Sequence, residues 1–134
     1  MAENEIGPLS AYDFDRILKA DLAALGFTTV VSKATVFNTA ITLNTDIFSS
    51  ALSPTNVPCT FRIYACFAGA GVLTVRRTSG GVSVSEELNS GNNLSANAAY
   101  IFDIVVDSGE TLNLRYSLST TAIKVSVIEI GAAA

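Results

Sequence analysis

The stretch Tyr100-Ile-Phe-Asp-Ile-Val-Val106 is followed by Asp107-Ser-Gly-Glu110 and then by an alternating run from Leu112 to Leu118. A period of two is typical of β-strands, and an Asp-Ser-Gly sequence suits a turn. The stretch therefore predicts two antiparallel strands joined by a turn. The side chains that share the predicted core-facing side are Tyr100, Phe102, Ile104 and Val106 in the first strand and Leu112, Leu114, Tyr116 and Leu118 in the second.

Further runs rich in Val, Ile, Phe and Thr lie on both sides of this stretch, as expected for strands. Eight or so short strands, with turns every eight to twelve residues, predict an antiparallel β-sandwich, and we favour a jelly roll. An immunoglobulin-like sandwich is the alternative, although the chain lacks tryptophan and a cysteine pair at the inter-sheet spacing. The other predicted strands are Phe27–Ser32, Thr35–Leu43, Thr60–Phe67, Val72–Thr78, Val82–Glu86 and Ile123–Ile130.

The sequence Ser79-Gly-Gly81 between two of these runs indicates a tight hairpin turn. In that hairpin Val82 and Val84 are expected to face inward. Arg76 and Arg77 are expected to lie near Glu86 and Glu87, where cross-strand charge pairs are modestly stabilising. The longest irregular piece, Ser49–Pro58, is predicted to be a binding or contact loop.

The chain before the sandwich is predicted to form an arm and one α-helix, in residues 1–26, ahead of a single globular domain in residues 27–134. Ser10 is an N-cap candidate and Gly26 a C-cap candidate. An isolated helix of this length is marginal, so its apolar stripe must dock either on its own sandwich or on a neighbouring subunit. The stripe residues, which are the candidates for an assembly interface, are Phe14, Ile17, Leu18, Leu22 and Leu25.

The composition is low in charge, with 15% charged and 49% hydrophobic residues and a mean hydropathy of +0.44. Because large exposed apolar patches usually belong to interfaces, we expect neighbouring subunits to cover much of the surface. The alternative is a monomer coated with neutral polar side chains. No apolar run is long enough for a membrane span.

The net charge of −4 argues against binding to nucleic acid, which needs clustered Lys and Arg. The acidic start Met1-Ala-Glu-Asn-Glu5 has no apolar segment after it, so no secretory signal peptide is expected and synthesis is expected in a cytoplasm.

The sequence predicts neither catalysis nor a cofactor. The chain has no histidine, which removes the commonest general base and metal ligand. The candidates for paired carboxylate chemistry are Asp103, Asp107, Glu110 and Glu129, but the residues around them are typical of strands and turns. Asp107 and Glu110 are the candidates for a cation site, although a plain turn is the favoured interpretation.

Two cysteines, Cys59 and Cys66, lie on one predicted strand and its approach. Along an extended strand they would be about 20 Å apart, which is beyond disulfide reach. They are expected to be reduced and mostly buried.

Several segments resemble those of small β-sandwich virion proteins of tailed phages and archaeal viruses, over roughly residues 60–130. The resemblance implies a non-enzymatic, homo-oligomeric structural protein, a trimer or larger, that serves as a capsid decoration or a tail or fibre component. It implies other virion proteins as partners, a location in the virion, and an N-terminal arm or helix that grips a neighbour. The alternative is a carbohydrate- or receptor-binding module with a surface glycan as ligand. The segments are Thr74-Val-Arg-Arg-Thr-Ser-Gly-Gly81, Leu88-Asn-Ser-Gly-Asn-Asn-Leu-Ser-Ala-Asn97, Tyr100-Ile-Phe-Asp-Ile104, Ser108-Gly-Glu110 and Leu114-Arg-Tyr-Ser117.

Overall fold

The computed structural model describes residues 28–132, in which seven strands confirm the mainly β class. The predicted arm and helix, with the stripe from Phe14 to Leu25, lie outside the described residues. The strands are β1 (Thr28–Ile41), β2 (Cys59–Phe67), β3 (Leu73–Ser79), β4 (Val82–Glu87), β5 (Tyr100–Val106), β6 (Glu110–Tyr116) and β7 (Thr120–Ala132), and one 3-10 turn spans Asn89–Gly91.

The strands form two antiparallel sheets that pack as a β-sandwich. The four-stranded sheet has the order β1-β7-β2-β5, and the three-stranded sheet has the order β4-β3-β6. The edge of β6 is occupied by residues 44–52, here called the cover segment. This segment is irregular, yet its backbone bonds to β6 as an additional strand would.

The cover segment is held by both backbone and side-chain hydrogen bonds. The Ile47 amide donates to the Leu114 carbonyl at 2.8 Å, and Leu52 exchanges two bonds with Leu112 at 2.7 and 3.0 Å. The buried amide of Asn113 adds a second pair, because its Oδ1 accepts from the Phe48 amide and its Nδ2 donates to the Phe48 carbonyl. The first half of the Ser49–Pro58 loop therefore closes a sheet edge.

The core lies between the inner faces of the two sheets, as the alternating pattern predicts. Phe67 of β2 and Tyr116 of β6 stack with ring centroids 3.7 Å apart and join the sheets. Gly71 is required beside this stack, because a Cβ there would come within 2.9 Å of the Tyr116 ring. Each fully buried apolar side chain contributes about 1.5–3 kcal/mol. The largest fully buried apolar side chains include Phe61, Ile63, Phe67, Leu73, Leu94, Leu114 and Tyr116.

The two predicted strands Phe27–Ser32 and Thr35–Leu43 are not separate in the structure, because β1 runs without a break from Thr28 to Ile41. The residue at the predicted break, Lys33, has a partner that keeps it in the strand: its ammonium group lies 3.1 Å from the Glu129 carboxylate. The prediction of a break was therefore wrong, since a charge in a strand need not end it when its partner lies on a neighbouring strand.

Val82 and Val84, which were predicted to face inward, have the core-facing parity but are not buried, since 65% and 51% of their surfaces are exposed. They lie opposite Ser79 and Arg77 in β3, and β4 is the edge strand of its sheet. The residues opposite them are thus polar or charged, and neither valine has an apolar cross-strand neighbour in β3. Leu118 is also 39% exposed, because β6 ends at Tyr116.

Candidate functional site

The outer face of the four-stranded sheet mixes exposed apolar side chains with one ion pair. Ile101 and Val105 of β5 are 62% and 61% exposed, and Asp103 lies between them. The Arg62 guanidinium donates two hydrogen bonds to Asp103, at 2.9 and 3.0 Å, and holds the pKa of that carboxyl below its ordinary value. Beside them Lys124 lies 5.5 Å from the centre of the Tyr64 ring. Such a mixture of apolar and hydrogen-bonding groups is suited to contact with another protein.

Asp107 and Glu110 bracket the turn after β5, as predicted, and Glu110 is engaged by an arginine. Oε1 of Glu110 accepts from the Asp107 amide at 3.0 Å and from Arg77 Nη1 at 2.8 Å. These two donors, the Asp107 amide first, lower the pKa of Glu110. Arg77 also binds both carboxylate oxygens of Glu86 and the Val105 carbonyl. The cluster ties β3, β4 and β6 to the end of β5.

The predicted contact between Arg77 and Glu86 is present, at 3.0 Å. The register places Arg76 opposite Ser85 and Glu87 opposite Thr74. Arg76 and Glu87 therefore do not lie opposite each other in the two strands.

Glu129 is buried, with 1% of its surface exposed, on the inner face of β7. Its carboxylate accepts from the amides of Thr55 and Asn56, at 2.6 and 2.9 Å, and pairs with Lys33. Burial alone would raise the pKa of Glu129, but the two amides and the ammonium group outweigh it and the pKa is lowered. The Glu129 carboxylate therefore anchors the loop that follows the cover segment.

The four carboxylates considered for paired chemistry lie in three separate places. Arg62 of β2 pairs in register with Asp103, whereas its neighbour Phe61 pairs with Glu129. Because successive residues of a strand point to opposite faces, Asp103 and Glu129 lie on opposite sides of the sheet. The alternation of the sequence indicates that Glu129 faces inward, because it continues the series of the buried Val125 and Val127.

A shallow polar groove of about 580 Å³ lies on the three-stranded sheet. Thr74 is at its middle, opposite Glu87 of β4 and Arg115 of β6 in register. Ser85 and Asn44 complete the lining. The groove thus presents hydroxyl, amide and charged groups together.

Cys59 and Cys66 are free and buried, in agreement with the prediction. Burial, followed by the charge of Glu129, raises the pKa of the Cys59 thiol. Within residues 28–132 no group of three or more His, Cys, Asp and Glu side chains is placed to hold a metal ion. The same residues include no helix long and apolar enough to span a membrane.

The solved structures that this chain resembles include proteins of two kinds. One is the globular domain of zebrafish complement 1qA protein, at 12% identity and a TM-score of 0.45, over 79% of this chain and 96% of that chain. The other is a pentameric capsid protein from metagenomic phage sequences. One structure of it has 16% identity and a TM-score of 0.37, over 97% of this chain and 80% of that chain, and a second has 17% identity and the same TM-score. No family model and no curated protein matches the sequence. Likenesses this distant assign neither family nor function.

Proposed function

We propose that the protein is a non-enzymatic structural subunit of a virion, a capsid decoration or a tail or fibre component, that assembles with copies of itself. The observation that carries the proposal is the outer face of the four-stranded sheet, where Ile101 and Val105 are more than half exposed. On an isolated molecule these side chains face water, and burying apolar surface contributes about 25 cal/mol per Å². The surface is therefore suited to a neighbouring subunit.

The fold that we propose is a jelly roll. When the cover segment is counted as the second strand, the eight strands pair as a nested set. The first pairs with the last, the second with the seventh, the third with the sixth, and the fourth with the fifth. A long hairpin rolled into a sandwich has this order, which favours the jelly roll over an immunoglobulin-like sandwich.

The ionisable groups support a structural role. The chain has no histidine, and Glu110 and Asp103 are bound by arginines while Glu129 is bound by a lysine and two backbone amides. Each of these carboxylates stabilises the sandwich where it lies. Carboxylates that are held in this way support a structural role and not a catalytic one.

Residues 1–26 provide a second proposed contact. The predicted stripe of Phe14, Ile17, Leu18, Leu22 and Leu25 needs an apolar surface, and in the proposal it binds a neighbouring subunit. A trimer or a larger ring would let each copy both give and receive this segment.

Light scattering across a concentration series tests the proposal. The full chain is expected to be a trimer or larger, and a chain lacking residues 1–26 is expected to keep the circular dichroism of the sandwich but not to assemble. Val105→Lys should weaken assembly, whereas Val57→Lys, a matched exposed valine in a loop, should not. A full chain that stays monomeric at every concentration overturns the proposed assembly. Normal assembly by the truncated chain overturns the role of residues 1–26. Mass spectrometry of purified particles tests the proposed place in a virion.

The second candidate function is binding of a carbohydrate or receptor, which the polar groove favours. Its hydroxyl, amide and charged groups at Thr74, Asn44, Glu87 and Arg115 are of the kinds that bind sugar hydroxyls. A glycan array tests it: specific retention that Arg115→Ala abolishes and Lys124→Ala preserves would support this function. A blank array across broad glycan classes would count against it.

A further inference from the structure

The direction of the backbone groups in β4 follows from one hydrogen bond. The Leu88 amide donates to the Leu73 carbonyl at 2.9 Å, and these two residues continue the register of β3 and β4. In an antiparallel pair, hydrogen-bonded and non-hydrogen-bonded positions alternate. Val82, Val84 and Glu86 therefore bond to β3 through their backbone groups.

The alternate residues of β4, which are Ser83, Ser85 and Glu87, direct their amides and carbonyls away from β3. In the described part of the chain no backbone group pairs with them. The sequence Val82–Glu87 contains no proline, carries charge only at its last two residues, and has no shift in its register with β3. Proteins normally protect an edge strand with such devices. The edge of β4 is thus both open and regular.

The same strand carries the exposed Val82 and Val84, which lie on one face. A second copy of β4 offers the same open backbone groups and the same valines, so the edge is complementary to itself under a two-fold axis. Edge-to-edge pairing would satisfy the backbone groups and bring valine side chains of the two copies into cross-strand contact.

We propose that β4 pairs antiparallel with β4 of a second copy, which joins two three-stranded sheets into one sheet of six strands. The expected register places Val84 opposite Val84 of the other copy, with Ser83 of each copy hydrogen-bonded to Ser85 of the other. This register brings the two copies of Val84 face to face, sets each Val82 opposite Glu86 of the other copy, and keeps the two copies of Glu86 from facing each other, which would be unfavourable. The inference rests on the proposed self-assembly and names one of its contacts.

Proline scanning of the edge tests the pairing without disturbing β3. Ser85→Pro removes an amide that points outward, and proline is tolerated at such edge positions. We expect dimerisation through this edge, measured by sedimentation or light scattering, to weaken by about tenfold or more, because two hydrogen bonds per dimer are lost. Ser85→Ala, which keeps the amide, is the matched control and should assemble as the unmodified chain does. Unchanged circular dichroism establishes that the Ser85→Pro sandwich is folded.

Cysteine cross-linking tests the register. Opposite residues at a non-hydrogen-bonded position have Cα atoms about 4.5 Å apart, within disulfide range. Val84→Cys is therefore expected to give a covalent dimer on mild oxidation, and Val57→Cys, in an exposed loop, is the control. Cys59 and Cys66 are buried and should contribute no background.

The outcomes separate this inference from the proposed function. A full chain that is monomeric at every concentration overturns both. An oligomer that survives Ser85→Pro, together with Val84→Cys chains that cross-link no faster than Val57→Cys chains, overturns the edge pairing alone. Capture of a strand of a different protein at this edge, with no self-pairing, would also overturn it. A smaller assembly in Ser85→Pro than in Ser85→Ala, together with rapid cross-linking of Val84→Cys, supports it.

Discussion

The two edges of the three-stranded sheet differ, because one is covered by another segment of the chain and the other is open. At β6 the cover segment forms hydrogen bonds with the strand through the backbone of Ile47 and Leu52 and through the side chain of Asn113. At β4 the chain turns sharply through Gly80 and Gly81, whose φ angles are 58° and 79°, and no described residue returns to the edge. A covered edge requires a segment fixed at both ends, whereas an open edge keeps its backbone groups available for a partner.

The anchor of the loop after the cover segment should show the largest effect on stability. Glu129→Gln leaves the Lys33 ammonium without its buried counter-charge, and we expect a loss of about 3 kcal/mol in the free energy of unfolding, measured in urea. Asp46→Asn is the matched control, because the Asp46–Arg115 pair is partly exposed and should cost about 0–1 kcal/mol. Equal losses in the two variants would contradict the proposed anchor.

The hydrogen bonds at the covered edge come next. Asn113→Ala removes the partner of both the Phe48 amide and the Phe48 carbonyl, and we expect a loss of about 2 kcal/mol. Hydrogen exchange should also become faster at the amides of the cover segment. Asn93→Ala, at an exposed side chain, should change stability by less than about 0.5 kcal/mol. No difference between the variants would mean that the cover segment does not depend on Asn113.

Acid should weaken the sandwich through the same carboxylates. The pKa values of Glu129 and Glu110 lie below the ordinary value of 4.5 in the folded protein. Their contribution is therefore present above that pH and is lost as the pH falls through the lowered values. The urea midpoint should fall as the pH drops below 4.5, and the fall should be shallower in Glu129→Gln. Identical pH profiles would rule out Glu129 as a source.

The open edge should show the smallest effect on folding. Val84 is half exposed, so Val84→Ala should change the free energy of unfolding of the monomer by less than about 0.5 kcal/mol. The measurement is urea unfolding at a concentration below that of self-association. A loss above about 2 kcal/mol would mean that the side chain is buried in the folded monomer.

Alternation in the sequence predicted much of the core, because it identifies which side chains share a face. Val106, Leu114 and Tyr116 were assigned to the core-facing side in this way and are buried there. Alternation does not tell how far the opposite sheet extends. Val82 and Val84 follow the core parity and are nevertheless exposed.

The pairing of the cover segment with β6 and the Glu129 anchor were not predicted, for a different reason. The cover segment has no strand pattern, and part of its attachment comes from the side chain of Asn113, which lies more than sixty positions away in sequence. Glu129 has the parity of a core residue, but its charge suggests the surface unless Lys33 and the amides of Thr55 and Asn56 are known to meet it. Contacts between distant side chains leave no local periodicity.

The stack between Phe67 and Tyr116 gives the protein an intrinsic spectroscopic probe. The chain has no tryptophan, so its near-ultraviolet spectrum comes mainly from tyrosine, and Tyr116 is fully buried against a ring of the opposite sheet. Separation of the sheets would place that ring in water and remove its fixed asymmetric surroundings. Near-ultraviolet circular dichroism can therefore follow the opening of the sandwich without any label, while far-ultraviolet signals follow the strands.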